Sequence, residues 1–529
     1  MFLLTKSGEK IALTPLATKV AVSKRTRNVR VEVDADQARD PVSTGALVAR
    51  ASRRIFDLGR RAGKAAAPPP PKGPPPLTFR DEASGAIRVV YREIVVRFER
   101  RTSAARRRAI LRDLGFVVRR RNPYARDQVV VYHPQRKYAG DALLEIANRW
   151  TALDEVVFAT PNFVSQYWRQ AASPAIPSAQ WHLENHGAAG AKRDEDVDAR
   201  DAWKITRGKP SIVVAVLDDG VDLGHPDLKT RLWKNPDSKA RDRHGRDFSL
   251  APDDPGHFDP RPKTFQDPFD DMDLNDIHGT PCAGVIAAAG KDRAPIGVAP
   301  GCRLLAVRVF QAASLAPDER VADAIRWSSK HAAILSCSWS GGYSADLHQA
   351  IEDVATHGRG GLGTLVFCAA GNNEHEAVEY PARDPLAIAV GASTDEGKLA
   401  WYSAVGREIA FVAPSNGGKR GITTTDVSSA DRGFNLGSAA AGGTNGLYTN
   451  DFGGTSSATP LAAGVAALVL SARPDLSRAE VRALMESTCD RIGIGYDDQG
   501  HSDRYGRGRL NAGSAVKAAL ALQGAQARR

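Results

Sequence analysis

Three short motifs carry the side chains that could perform chemistry, and the first is Asp218-Asp219-Gly220. It directly follows the apolar run SIVVAVL, so it places a carboxylate at the carboxyl end of a predicted parallel strand, where α/β sheets build their sites. Such a carboxylate can hold a histidine. An Asp-Asp-Gly sequence after a strand is also a common turn or helix cap, so this motif decides nothing alone.

The second motif begins at His278, which precedes Gly279-Thr280 and the small-residue run PCAGVIA. The run suits a buried helix packed close to a sheet, with the histidine at its amino end. A histidine there can reach a carboxylate on one side and a nucleophile on the other, and imidazole transfers protons near neutral pH. A single histidine is also commonly structural.

The third motif is GGTSSATP, in which Ser456 precedes the apolar helix LAAGVAALVL. Glycines before the serine let the backbone approach a ligand, and Pro460 fits a helix only in its first turn. Ser456 would then lie at a helix amino terminus, whose free N–H groups favour a developing oxyanion. Taken by itself, the motif is better explained as a plain helix cap.

The elements that must position these motifs alternate between buried strands and helices. Apolar strands separated by helices predict a parallel sheet covered on both faces, which is an α/β fold. The predicted strands are SIVVAVL, CRLLAVRV, AAILSCS, TLVFCAA and LAIAVGA, with helices around 320–330 and 348–357.

An Asp, a His and a Ser in this chain order resemble the subtilase family of serine proteases. The resemblance covers roughly 181–519. It includes QWHLEN, DDGVDLGHPDL, HGTPCAGVIAA, GVAPGCRLLAVR, SCSWSGG, AAGNN, GGTSSATPLAAGVAALV and YGRGRLNAGSAV. The Asp-Asp-Gly and Ser-Cys-Ser-Trp forms are similar to the kexin-like branch, whereas the serine region is similar to bacterial members. The resemblance implies a subtilisin-like three-layer fold and peptide-bond hydrolysis.

The same resemblance assigns roles to the three motifs. Ser456 is implied as the nucleophile, His278 as the general base and Asp218 as the acid that orients the histidine. Asp219 is the rival for the acid. We favour Asp218 because the family places its acid two positions before Gly220.

Further site residues also follow from the resemblance. Asn372 is implied as an oxyanion donor beside the Ser456 N–H, with Asn373 as the neighbour that is not expected to act. Glu379 is implied at the floor of the pocket for the residue before the cut, where it would favour Lys or Arg, although a solvated carboxylate is an equal alternative. The backbone strand expected to bind substrate comprises Ser338, Trp339, Ser340 and Gly341.

No cofactor is expected for the chemistry, but the resemblance suggests structural calcium. Asp227 matches a family position that commonly binds calcium through oxygen ligands, and Asp292 is the second candidate ligand. The chain departs from the family nearby, because Lys291 and Arg293 stand where uncharged or oxygen-rich residues are usual.

Four regions are predicted along the chain. Residues 1–86 form an extension with a basic segment and the linker PPPPKGPPP; 87–165 form an α+β, ferredoxin-like domain that resembles a subtilase propeptide; 166–180 form an exposed linker containing the self-cleavage site; and 181–529 form the peptidase domain. The expected partners are therefore polypeptide substrates and the chain's own propeptide, acting as an intramolecular inhibitor.

Composition limits the other function classes. The net charge of +11 comes with arginine clusters at 50–64 and 97–126, away from the chemistry, so no nucleic-acid partner is expected. The apolar run 461–470 is shorter than the ~20 residues of a membrane-spanning helix, and no membrane insertion is expected. The start MFLLTKSGEK does not resemble an export signal, and five scattered cysteines favour a reducing compartment such as the cytoplasm.

One alternative from a different functional class stays open at this point. The chain could be a catalytically silent scaffold that resembles a subtilase and binds peptides without cutting them. Every catalytic position is filled, which argues against this alternative.

Overall fold

The computed structural model describes residues 2–4, 10–16, 18–22, 29–33, 78–81, 87–135, 141–169, 180–266, 273–290, 294–310, 315–429, 432–435 and 446–526. Most of the region predicted as an extension, including the proline-rich run, lies outside these residues. The strands described there are Phe2–Leu4 (β1), Lys10–Leu16 (β2), Thr18–Val22 (β3), Val29–Val33 (β4) and Thr78–Asp81 (β5).

The next elements form a β-α-β-β-α-β unit, the ferredoxin-like arrangement predicted for this region. Its four strands pair antiparallel in the order β7-β8-β6-β9, and two helices pack on the sheet. The elements are Ile87–Phe98 (β6), Ala104–Asp113 (α1), Val117–Arg121 (β7), Gln128–Tyr132 (β8), Asp141–Thr151 (α2) and Val156–Arg169 (β9). Strand β7 was not predicted, because it is an edge strand with mostly exposed side chains.

Strand β9 extends beyond the predicted start of the exposed linker. Its backbone stays extended to Arg169, four residues into the predicted linker 166–180. Its hydrogen-bonding partners come from two strands of the peptidase domain, far away in the sequence, so local sequence could not reveal them. The remaining linker residues, 170–179, lie outside the described part of the chain.

The central sheet is supplied by residues 181–529, predicted to be the peptidase domain. Its helices are Ala199–Trp203 (α3), Gly279–Ala287 (α4), Asp318–Ser328 (α5), Ala345–His357 (α6), Thr455–Ala472 (α7), Arg478–Ser487 (α8) and Ala512–Gln526 (α9). Short 3₁₀ turns lie at Ala188–Gly190, Pro255–Phe258 and Arg359–Gly361. Its strands are Val213–Asp218 (β10), Gly245–Asp247 (β11), Thr264–Gln266 (β12), Asp273–Asn275 (β13), Arg303–Arg308 (β14), Leu315–Pro317 (β15), Ile334–Cys337 (β16), Trp339–Gly341 (β17), Leu365–Ala369 (β18), Ile388–Ser393 (β19), Ile409–Pro414 (β20), Ile422–Thr425 (β21) and Tyr448–Phe452 (β22).

Seven of these strands form a parallel sheet in the order β11-β14-β10-β16-β18-β19-β20. The five predicted strands are β10, β14, β16, β18 and β19, and the predicted α/β class is confirmed. Side chains of β10 alternate between two cores: Val214 and Val216 face helices α4 and α7, whereas Ala215 and Leu217 face helices α5 and α6. The sheet is therefore the middle of three layers.

Helix α7 is long and apolar enough to cross a bilayer by length and composition alone. It is also almost entirely buried inside the fold, against α4 and the central sheet. Its apolar character therefore has a sufficient explanation in core packing.

Candidate active site

The first predicted pair lies together at the carboxyl edge of the sheet. Asp218 is the last residue of β10, and His278 immediately precedes α4. His278 Nδ1 lies 2.9 and 3.0 Å from the two carboxylate oxygens of Asp218, and both side chains are buried. Burial raises the pKa of Asp218, and the adjacent His278 partly offsets that rise. The contact favours the tautomer with hydrogen on Nδ1, which leaves Nε2 as the proton acceptor.

Asp219, the rival acid, does not contact the imidazole. Its carboxylate accepts backbone N–H groups from Ile277 at 2.9 Å, His278 at 3.0 Å and Gly279 at 2.7 Å. The two adjacent carboxylates therefore have different tasks in the fold. One holds the histidine ring and the other holds the histidine backbone.

Ser456 lies in the first turn of α7, close to the same edge. Its Oγ donates to the Ser338 carbonyl oxygen at 3.3 Å, and Ser338 Oγ donates to the Ser456 carbonyl oxygen at 3.1 Å. Cys282 joins the groups, because its Sγ lies 3.7 Å from that same carbonyl and 3.8 Å from His278 Nδ1. His278 Nε2 is buried with no hydrogen-bond partner among the described residues.

Pro460 occupies a different position from the predicted one. Helix α7 begins at Thr455, so Pro460 lies inside it rather than in its first turn. Proline has no N–H for the carbonyl four residues earlier, which belongs to Ser456. That freed carbonyl accepts the Ser338 hydroxyl, so a contact at the site replaces the missing helix hydrogen bond.

Asn372 has one half of its amide anchored and the other half free. Its Oδ1 accepts from the backbone N–H and the hydroxyl of Thr455, both at 2.9 Å. Its Nδ2 is buried without a partner among the described residues. Asn373 differs, because its Nδ2 donates to the Ala377 carbonyl within the same loop.

The predicted substrate strand is already paired with the chain itself. Strand β17 pairs antiparallel with the end of β9, with Trp339 opposite Arg169 and Gly341 opposite Tyr167. Strand β15 pairs with β9 at Val164–Gln166, and the sequence analysis did not predict this edge. Two short edge strands of the predicted peptidase domain, β15 and β17, thus pair with β9, the last strand of the β-α-β-β-α-β unit.

The comparisons with known proteins can be set against this geometry. A family profile described as the subtilase family, Peptidase S8, matches residues 209–508, which is more than half of the chain. The chain belongs to the subtilase family. A calcium-dependent protease of Trichormus variabilis is 34% identical over 462 residues, which cover 82% of this chain and 64% of the relative. This subtilase therefore spans less than two thirds of that relative's length.

Two further comparisons give the same result. Subtilisin NAT of Bacillus subtilis subsp. natto is 31% identical, covering 58% of this chain and 66% of the relative. Among solved structures, fervidolysin of Fervidobacterium pennivorans, a keratinolytic enzyme related to subtilisin, matches with a TM-score of 0.58 at 22% identity. That match covers 80% of this chain and 60% of fervidolysin, and it supports the fold.

Glu379 lies next to Ser340 of β17 and to Gly371. Its carboxylate accepts the Ser340 hydroxyl, and a Cβ added to Gly371 would lie 2.9 Å from its Cγ. Glycine is required at Gly371 for a second reason, because its φ of +125° disfavours any side chain. Glu379 is thus half-buried between β17, the predicted substrate strand, and Gly371, which precedes Asn372.

The Cys282 thiol is buried in this site but is not set up to react. Asp218, His278 and Cys282 are the one group of potential metal ligands that converges among the described residues. Burial raises the pKa of the thiol well above its ordinary value, and the neighbouring Asp218 carboxylate raises it further. A neutral thiol packs as a small apolar group.

The predicted calcium residues are not assembled into a site by the described residues. The Asp227 carboxylate accepts the hydroxyl of Tyr448, and Asp292 lies outside the described part of the chain. A hydroxyl donor on the carboxylate does not resemble the set of six to eight oxygen ligands that calcium takes. The assignment of calcium to this chain stays a prediction.

Proposed function

We propose that the chain is a serine endopeptidase that uses Asp218, His278 and Ser456 as its triad. The observation that carries the proposal is the convergence at one edge of a buried Asp-His pair, a serine at a helix amino terminus and an unpaired amide of Asn372. Each group alone has a structural explanation. Together they supply a base, a nucleophile and an oxyanion donor.

The proposed reaction proceeds through an acyl-enzyme. A small rotation turns Ser456 Oγ from the Ser338 carbonyl toward His278 Nε2, which accepts the proton as Oγ attacks the scissile carbonyl. Asn372 Nδ2 and the Ser456 N–H stabilise the tetrahedral oxyanion. The imidazolium, held by Asp218, then protonates the leaving amine, and water releases the acyl group by the same steps in reverse order.

Substrate is proposed to bind as an extended strand between β17 and β15. The support is that these edges already pair with one extended segment of the chain, β9. Backbone pairing is independent of side-chain identity, so selectivity falls to the pockets. A carboxylate at Glu379, under the residue before the cut, favours Lys or Arg there.

The module 87–165 is proposed to act as a propeptide that blocks the cleft until it is cut. The support is that β9 runs from the module's own sheet directly onto the substrate edge. While β9 stays there, a substrate cannot pair with the same backbone groups. Cleavage within 166–180 would leave the module held by non-covalent contacts alone, and its dissociation would then free this edge.

The proposal is tested by labelling the full chain with a fluorophosphonate probe and measuring hydrolysis of a fluorogenic peptide. We expect Ser456→Ala to lose both the label and at least ~10³-fold of the turnover, because the nucleophile is gone. The matched control is Ser457→Ala, since Ser457 is equally buried but bonds to Ser415 instead. Equal labelling and turnover in wild type and Ser456→Ala would refute the proposal and leave a silent peptide-binding scaffold.

A further inference from the structure

The site contains one buried carboxylate that the proposed chemistry does not use. Asp219 is 2% exposed and accepts three consecutive backbone N–H groups, those of Ile277, His278 and Gly279. These donors lie 58 to 60 positions away in the chain. The carboxylate therefore joins the end of β10 to the start of α4 at the histidine itself.

Helix α4 needs such a partner because its own cap residue cannot act as one. The first N–H groups of a helix have no partner within it, and the side chain of the cap residue usually accepts one of them. The cap residue here is His278, whose side chain makes no capping bond and is committed to Asp218. Asp219 instead accepts the N–H of Gly279, the first residue of the helix, together with those of His278 and Ile277 just before it. Its negative charge suits the positive end of the helix.

Asp219 is itself held in place by buried contacts. Its carbonyl oxygen accepts Arg308 Nε at 3.1 Å, and the fully buried Arg308 guanidinium also pairs with Asp276 and Asp247. Asp276 stands two residues before His278, so the segment is tied down on this side as well. Asp219 is thus anchored by a buried ion-pair network around Arg308.

The backbone at the start of α4 packs closely against the backbone at the end of β10. A Cβ added to Gly279 would lie 2.3 Å from the Gly220 carbonyl oxygen and 2.9 Å from Asp218 Cβ. The start of α4 therefore cannot move toward β10. The Asp219 bonds prevent it from moving away.

We infer that Asp219 is a positioning residue, which sets the place of the His278 ring by clamping its backbone while Asp218 sets the ring's tautomer. This inference rests on the proposed function. A misplacement of about 1 Å in a catalytic group costs on the order of 10²-fold in rate. The Asp219 carboxylate bonds to the backbone of the histidine segment, so its effect is expected on turnover and not on substrate binding.

The test measures kcat and KM for a peptide substrate with the full-length protein, counting competent sites with a fluorophosphonate probe. Per labelled site, we expect Asp219→Ala to lower kcat by about 10²-fold with KM changed less than twofold. Asp219→Asn is expected to recover about tenfold of that loss, since its amide oxygen still accepts N–H groups. Counting sites removes any contribution from unfolded protein.

Asp254→Ala is the matched control. The Asp254 carboxylate also accepts a backbone N–H, that of Gly256 at the start of a 3₁₀ turn, and this turn belongs to a different loop from the histidine. Its kcat per labelled site is expected to equal that of wild type.

The possible results separate the two proposals. Wild-type kcat in both Asp219 variants, with an active wild type and an inactive Ser456→Ala, would overturn the positioning role alone. A rise in KM with an unchanged kcat would also overturn the positioning role. A wild type without peptidase activity would overturn the proposed function and this inference together. If Asp219→Ala does not fold, the kcat of Asp219→Asn decides the question.

Discussion

Two side-chain atoms at the site, His278 Nε2 and Asn372 Nδ2, are buried without a partner among the described residues. A buried polar group left unpaired costs about 1–3 kcal/mol of stability. Both groups are oriented by bonds on their opposite side, from Asp218 and Thr455. Their free atoms are thus directed by the fold toward a ligand, which is how a preorganised site is built.

A prediction at the same scale concerns Glu379. We expect Glu379→Gln to reduce kcat/KM for substrates with Lys or Arg before the cut by about 10-fold to 100-fold, because a charge-assisted hydrogen bond is worth about 1.5–3 kcal/mol. Substrates with Leu at that position should change little. The measurement compares kcat/KM across matched peptides that differ only in that residue.

The control for this prediction is Glu376→Gln, which removes an exposed carboxylate from the same loop. It should leave the ratio between Arg and Leu substrates unchanged. An unchanged ratio in Glu379→Gln would mean that Glu379 is only a partner of Ser340.

At the scale of elements, the register between β9 and β17 points to one peptide bond. The described register ends with Arg169 opposite Trp339, the residue that follows Ser338. The Ser338 carbonyl oxygen is the atom that Ser456 Oγ contacts. Gln170, the next residue in the chain, lies outside the described residues.

We therefore predict that self-processing cuts the bond between Gln170 and Ala171. Mass spectrometry of purified wild-type protein should find a fragment beginning at Ala171, and Ser456→Ala protein should stay intact. A fragment beginning at Gln170 would contradict this register. It would place Arg169 before the cut, where Glu379 favours a basic residue.

At the scale of the whole molecule, the module and the peptidase domain meet through buried polar contacts. Asn122 donates to Asp323 at 2.7 Å, and Gln128 donates to Asp346 at 2.9 Å. Burial raises the pKa of Asp323 to about 7 and also raises the pKa of Asp346. The charged groups that face Asp323 are Arg120, Arg326, Asp346 and Glu319.

These pKa directions predict how docking depends on pH. Released into water, Asp323 would ionise near its ordinary pKa of about 4, whereas in the docked state it ionises near 7. The docked state therefore holds an extra proton between about pH 4 and 7. We expect the affinity of the cut module to fall as pH rises through this window, by up to tenfold per pH unit, and to level off above it.

Gel filtration of self-processed protein at pH 5 and pH 8 tests this prediction, with the cut module expected to co-elute only at the lower pH. Asp323→Asn, which cannot ionise, should weaken the pH dependence. Equal retention of the module at both values would count against Asp323 as its source. The exposed pair Lys204–Asp201 offers a control, because Asp201→Asn should have no effect on docking.

The sequence by itself determined the strand–motif–helix order and therefore the family, the sheet and the residues of the proposed triad. It could do so because apolar periodicity and short motifs are local properties of the chain. The five strands predicted from such runs are all in the central sheet. The roles that the resemblance gave to Asn372 and Glu379 stay predictions.

Only the tertiary structure decided the contacts between distant segments. It separated the tasks of Asp218 and Asp219, put Pro460 inside a helix, and carried β9 onto the edge of β17. In each case the hydrogen-bond partner comes from another element many residues away. Local propensity contains no information about such a partner, because the pairing exists only after the elements have packed.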